Sequence, residues 1–103
     1  MKALVITKTG GPEALEIRDM PAPEIKPGQT AVRVSAGGLN FADLMTTQGG
    51  YPGMPAPPFI AGREFSGIEE QAKRRVMGYM QWGAFGEIAA ANSNLLWPVP
   101  DHW

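Results

Sequence analysis

The chemistry available to this chain is narrowed first by what its side chains can bind. A catalytic zinc draws its three protein ligands mostly from Cys and His, and the 103 residues hold no Cys and a single His, His102, at the C-terminus. Carboxylate-only sites favour Mg, Ca or Mn, and no Asp/Glu spacing matches a calcium loop. No metal site is expected. Phosphate-gripping motifs are missing as well: neither Gly-x-Gly-x-x-Gly nor Gly-x-x-x-x-Gly-Lys-Ser/Thr occurs, and no strand–helix–strand pattern exists to carry one. Attention then falls on Asn40, whose amide both donates and accepts hydrogen bonds, and on Arg63, whose guanidinium only donates and has no lone pair for a metal.

Short strands must position these groups. Thirteen Gly and ten Pro punctuate the chain, which leaves room mainly for β-structure. Ala3 to Thr7 is β-prone and ends at the turn signal Thr9-Gly-Gly-Pro12. Leu15 to Arg18 alternates apolar and polar, so the two runs predict an opening hairpin. Met20 to Gln29, with Pro21, Pro23 and Pro27, reads as an extended connector. Thr30 to Ala36 is a strand placing Val32, Val34 and Ala36 on one face. Asn40 is a helix N-cap with Asp43 at the capping-box position, and Gly49 is a stop. These signals predict one helix from about Phe41 to Gln48, with Phe41, Leu44 and Met45 sharing its apolar face. Gly49 to Pro58 reads as a loop. Glu64 to Glu69, Val76 to Tyr79, Ala84 to Ala90 and Leu95 to Val99 are further strands, and together they suggest a barrel.

Residues 1–103 read as one domain, with 44% apolar and 18% charged residues, a globular composition. Net charge is −1, and the one basic cluster, Lys73-Arg74-Arg75, lies beside Glu69 and Glu70, so nucleic acid is not an expected partner. The opening Met-Lys-Ala-Leu-Val-Ile is too short an apolar run for a signal peptide or a membrane span, which predicts a cytoplasmic protein with no membrane contact.

The stretch Gly38-Leu-Asn-Phe-Ala-Asp-Leu-Met, then Gly49-Gly-Tyr-Pro, then Pro58-Phe-Ile-Ala-Gly-Arg-Glu-Phe-Ser-Gly67, resembles the medium-chain dehydrogenase/reductases over nearly the whole chain. It is most similar to their zinc-free quinone oxidoreductase and enone reductase branch, in which Asn40 stands where zinc enzymes carry a metal-binding Cys. The resemblance implies a mainly β fold, the GroES-like partly open β-barrel with one short helix at about residues 41–48. It implies a catalytic domain whose Rossmann partner is missing here. In the parent enzyme, NADPH would pass a hydride to a small-molecule quinone or enone, with orientation of cofactor and acceptor carrying most of the catalysis. It leaves the oligomeric state open, a homo-oligomer included.

The resemblance also places the site residues. Asn40 would face the cleft where nicotinamide and substrate meet, as a catalytic and cofactor-binding residue, although a helix cap alone is an equal reading. Tyr51 would overhang the cleft as a catalytic hydrogen-bond donor, or simply be a loop aromatic pinned by Pro52. Met45 and Arg63 are candidates for the substrate cleft; Met45 fits core packing as well, and Arg63 could equally face solvent. Asp43 and Glu64 match acids that orient metal ligands in zinc relatives, a task that lapses here. Gln81 to Glu87 looks like a Gly-rich strand lead-in and is assigned no chemistry. Glu69 to Arg74 replaces a longer, Gly-containing connection, which puts the local register in question. Two readings compete with the reductase fragment: a stand-alone GroES-like barrel that binds or assembles without turnover, and a deliberately trimmed, folded but inert chain. The isolated chain is expected to be inactive.

Overall fold

A computed structural model describes residues 1–49 and 51–103; Gly50 lies outside them. Eight strands form two sheets. In the first, β1 (Lys2–Ile6) lies between β2 (Leu15–Asp19) and β4 (Phe59–Ile60), antiparallel to both. In the second, β3 (Gln29–Gly38), β5 (Glu64–Glu69), β6 (Arg75–Tyr79), β7 (Ile88–Asn92) and β8 (Leu96–Pro98) run in the order β7-β3-β5-β6-β8. The single α-helix among the described residues, α1 (Phe41–Thr47), follows β3 directly. The mainly β, partly open barrel expected from the sequence is the observed architecture. The opening hairpin forms, with a 3-10 turn at Pro12–Ala14 between its strands. Among the described residues no helix is long and apolar enough to cross a membrane.

Two apolar clusters hold the sheets together. Val32, Phe65, Val76, Ala84, Ala91 and Leu96 form one, and Ile6, Phe59 and Ala61 the other. Phe85 packs against both. Burying a large apolar side chain such as Phe65 contributes about 1.5–3 kcal/mol. The ring of Phe85 needs Gly62, which has φ +106°, and a Cβ there would lie 2.5 Å from Phe85 Cδ1. That turn ends β4 and aims the next residue, Arg63.

Four expectations are corrected. The strand expected over Ala84 to Ala90 is β7 from Ile88 only, because the preceding residues bond elsewhere: Ala84 N–H donates to Gly62 O at 3.2 Å, Leu4 N–H to Phe85 O at 2.8 Å and Glu87 N–H to Lys2 O at 3.2 Å. β4, inside a Gly/Pro-rich region, was not anticipated. The expected face of β3 breaks where the register shifts between Val34 and Ala36, leaving Ala36 exposed. Finally, α1 buries the opposite side from the one expected. Phe41 is 75% and Leu44 40% exposed and Met45 is half-buried, while Asp43, Thr46 and Thr47 are buried. Hydrogen bonds decide this orientation over apolar periodicity. Thr47 O accepts from Gly10 N–H and Gly11 N–H at 2.9 and 3.1 Å, tying the helix to the Pro12 turn, and Thr46 and Thr47 satisfy their hydroxyls on backbone oxygens of Asp43 and Leu44.

The shortened β5–β6 connection keeps its register. Glu69 N–H donates to Arg74 O at 2.9 Å, Lys73 N–H to Glu69 O at 2.8 Å, and Arg74 Nε pairs with Glu69 Oε1 at 2.7 Å. Lys73 takes the left-handed conformation a glycine would otherwise supply, at φ 57°.

Candidate functional site

Arg63 sits between the Gly62 turn and β5, and its carbonyl accepts from Met80 N–H at 2.7 Å. Strand alternation sends neighbouring side chains to opposite faces: Glu64 is exposed, lying over Gly38 on β3, whereas Arg63 turns inward and is only 6% exposed. Arg63 does not point to solvent. Its Nη1 donates to Gln81 O at 3.2 Å and its Nη2 to the Tyr79 phenol oxygen. The Tyr51 ring lies 4.7 Å and the Tyr79 ring 5.3 Å from the guanidinium carbon.

The electrostatics of this cluster are lopsided. The ion pairs among the described residues join Arg18 to Glu16, Arg33 to Glu70 and Arg74 to Glu69, and none includes Arg63. Removing a guanidinium from water costs several kcal/mol. Each cation–π contact returns roughly 0.5–2 kcal/mol, and hydrogen bonds from a charged donor about 1.5–3 kcal/mol. The charge is therefore tolerated without being neutralised, and it supplies positive potential behind two phenols.

Tyr79, 41% exposed, carries that potential to the surface. With Ile60, Met80, Gln81 and Trp82 it lines a cleft of about 620 Å³. Trp82 is braced edge-on by Phe59, ring centroids 6.1 Å apart. Arg63 and Tyr51 are not among the residues lining that cleft; Arg63 meets it through Tyr79 and Gln81.

Of the residues singled out in the sequence, the structure joins Tyr51 to Arg63 and leaves the others apart. Asn40 caps α1, two residues beyond Gly38, which pairs with Glu64. The capping box is carried mainly by Asp43, whose Oδ2 accepts from Asn40 N–H at 2.8 Å; the Asn40 side chain makes no hydrogen bond of normal geometry to the helix. The Asn40 side chain is half-buried and faces the backbone N–H of Asp43 in the capping box. Asp43 is 6% exposed, and its Oδ1 is buried without a partner among the described residues. Met45, on the next turn of α1, is half-buried. Tyr79 and Gln81 were missed in the sequence. The available signal was register: Tyr79 is opposite Glu64, one residue from Arg63. Among the described residues no three His, Cys, Asp or Glu side chains converge as metal ligands.

Known proteins share this architecture. Residues 26–80 match the model of the alcohol dehydrogenase GroES-like domain. The rat synaptic vesicle membrane protein VAT-1 homolog is 43% identical over 98% of this chain, which spans 28% of that protein's length. The crystal structure of the human VAT-1 homolog-like protein superposes with a TM-score of 0.93 at 32% identity, covering 100% of this chain and 36% of that one. The quinone oxidoreductase of Thermus thermophilus, solved also in complex with NADPH, superposes with a TM-score of 0.87 at 40% identity, covering 100% of this chain and 34% of that one. By its matched domain and its full-length overlay on such relatives, the chain belongs to the alcohol dehydrogenase GroES-like domain family, among the VAT-1 homologues and quinone oxidoreductases of the medium-chain dehydrogenase/reductases.

Proposed function

We propose that this chain is the acceptor-side domain of a zinc-free, cytoplasmic, NADPH-dependent quinone or enone reductase, with the dinucleotide gripped by a further domain. The observation that carries the reading is a set of hydrogen-bond donors, Tyr51, Arg63 and Tyr79, gathered beside an aromatic-walled cleft, in a chain 40% identical to a quinone oxidoreductase that binds NADPH.

The residues present fit one end of the cofactor. The half-buried amide of Asn40, whose oxygen faces the helix N-terminus, keeps its NH2 donors for the carbonyl of the nicotinamide carboxamide. Among the described residues the phosphates have no such place: the one α-helix N-terminus carries the buried carboxylate of Asp43 in its first turn, where an anion would be repelled. Bound NADPH would supply the hydride that, with one solvent proton, converts a quinone to a hydroquinone or saturates an enone. The residues of this chain do the rest. Trp82, Met80 and Ile60 pack on a flat acceptor and exclude water, and Tyr79, its oxygen already accepting from Arg63, offers its own proton to the acceptor oxygen. Tyr51 holds the guanidinium against its ring. Developing negative charge on that oxygen then meets preorganised donors. Met45 and the exposed Leu39, Phe41 and Leu44 form the rim against which the further domain would close.

The isolated chain tests this division of labour. Calorimetry with NADPH should detect no micromolar binding, since contacts at the nicotinamide end alone leave most of the cofactor in water. Turnover of a simple quinone should not exceed the uncatalysed rate. Micromolar affinity would overturn the assignment of the phosphates to another domain.

A further inference from the structure

We propose that Arg63 and Tyr79 form an oxyanion-binding site that makes this protein select acceptors bearing an acidic group, such as a hydroxyquinone or a quinone carboxylate, over neutral ones. The quinone part rests on the reductase reading above, and the anion part on geometry alone. Arg63 differs from the other arginines. Arg18, Arg33 and Arg74 are paired with glutamates, and Arg75 Nη2 donates to the Trp103 carbonyl at 2.6 Å. Arg63 is more than nine-tenths buried, and its partners among the described residues are a carbonyl, a phenol and two aromatic rings, none of which carries the formal charge that would cancel its own. Where water is excluded such a charge acts on its surroundings with little screening.

The direction of the hydrogen bonds shows how that charge reaches a ligand. Arg63 Nη2 donates to the Tyr79 oxygen, so the phenol proton points away from Arg63. Tyr79 is exposed on the wall of the 620 Å³ cleft. An anionic oxygen placed there accepts from Tyr79 and is attracted by the guanidinium behind it, a charge-assisted arrangement stronger than a neutral pair. The rest of the cleft discriminates little by charge, because its two ionic side chains, Glu24 and Lys26, are of opposite sign. Its apolar walls at Ile60, Met80 and Trp82 suit a ring. Glu64, the nearest acid in sequence, is the cross-strand neighbour of Tyr79 and lies over Gly38, where it lines a separate groove beside Tyr79 and not the 620 Å³ cleft. A neutral carbonyl would gain the hydrogen bond without the charge.

Amide NMR titrations of this chain test the proposal. Benzoate is compared with benzamide, its uncharged isostere, and 2-hydroxy-1,4-naphthoquinone, an anion at neutral pH, with 1,4-naphthoquinone. The expected result is shifts at Tyr79, Gln81 and Trp82, with each anion binding about tenfold or more tighter than its neutral partner. Arg63→Met should erase both preferences and Arg63→Lys should keep part of them. Equal binding of benzoate and benzamide by the unaltered chain overturns the anion site without reference to any variant. A benzoate preference without a hydroxynaphthoquinone preference overturns the acceptor class while leaving the anion site standing.

Discussion

Replacing Arg63 by Met should make the protein more stable. Met has a comparable length and no charge, so the variant removes the desolvation of the guanidinium while keeping most of the packing between Tyr51 and Tyr79. Exchanging buried ionic groups for apolar ones of similar volume is typically neutral or stabilising by about 1–4 kcal/mol. Two cation–π contacts of roughly 0.5–2 kcal/mol each are forfeited. The partners left behind are cheap to rehydrate, because Tyr79 is 41% exposed and Gln81 lies at the surface. The balance is a gain of about 1 kcal/mol, equivalent to about 4–8 °C in Tm for a domain of this size. Urea unfolding followed by tryptophan fluorescence, with thermal melting alongside, measures it. A loss of more than about 1 kcal/mol would refute the reasoning, showing Arg63 to be a structural keystone instead of a charge retained for binding at a cost in stability.

Two further perturbations probe the scaffold. Lys73→Gly should stabilise by about 0.5–1 kcal/mol, since the left-handed conformation costs an L-residue roughly 1–2 kcal/mol and glycine's extra unfolded-state entropy offsets part of the relief; an unchanged or lower urea midpoint would contradict the turn at Lys73. Asn40→Ala should cost no more than about 0.5 kcal/mol, less than a working N-cap is worth, while Asp43→Ala should cost about 1 kcal/mol or more, because the hydrogen bond closing the capping box comes from Asp43. Denaturant midpoints showing the reverse order would return the capping role to Asn40.

What could be read from the chain and what could not divide along the range of the interactions involved. The hairpin of β1 and β2, the strands β3 and β5 and the position of α1 follow from alternation, turn residues and a cap, all settled within a few residues. The buried side of α1 does not, because Gly10 and Gly11, far away in sequence, claim the carbonyl of Thr47 and rotate Phe41 and Leu44 outward. β4 escapes notice because two residues, Phe59 and Ile60, show no periodicity; pairing with β1 defines them. The connection at Glu69 to Arg74 looked deficient only while glycine was the assumed occupant of its left-handed position. At the candidate site, Arg63 was visible as a departure from the family's residue types and Tyr51 as a match to its Tyr-Pro. Their junction with Tyr79 draws on a loop and two strands, and no single window of sequence contains it.

The most direct test of the central claim is turnover in a hybrid enzyme. Replacing the third of the Thermus thermophilus quinone oxidoreductase that this chain overlays with this chain should give a folded protein that consumes NADPH in the presence of 1,4-naphthoquinone and binds its 2-hydroxy derivative more tightly, while the chain alone reduces neither. A hybrid that folds and binds NADPH yet reduces neither quinone would contradict the assignment of this domain as the acceptor side of a quinone reductase.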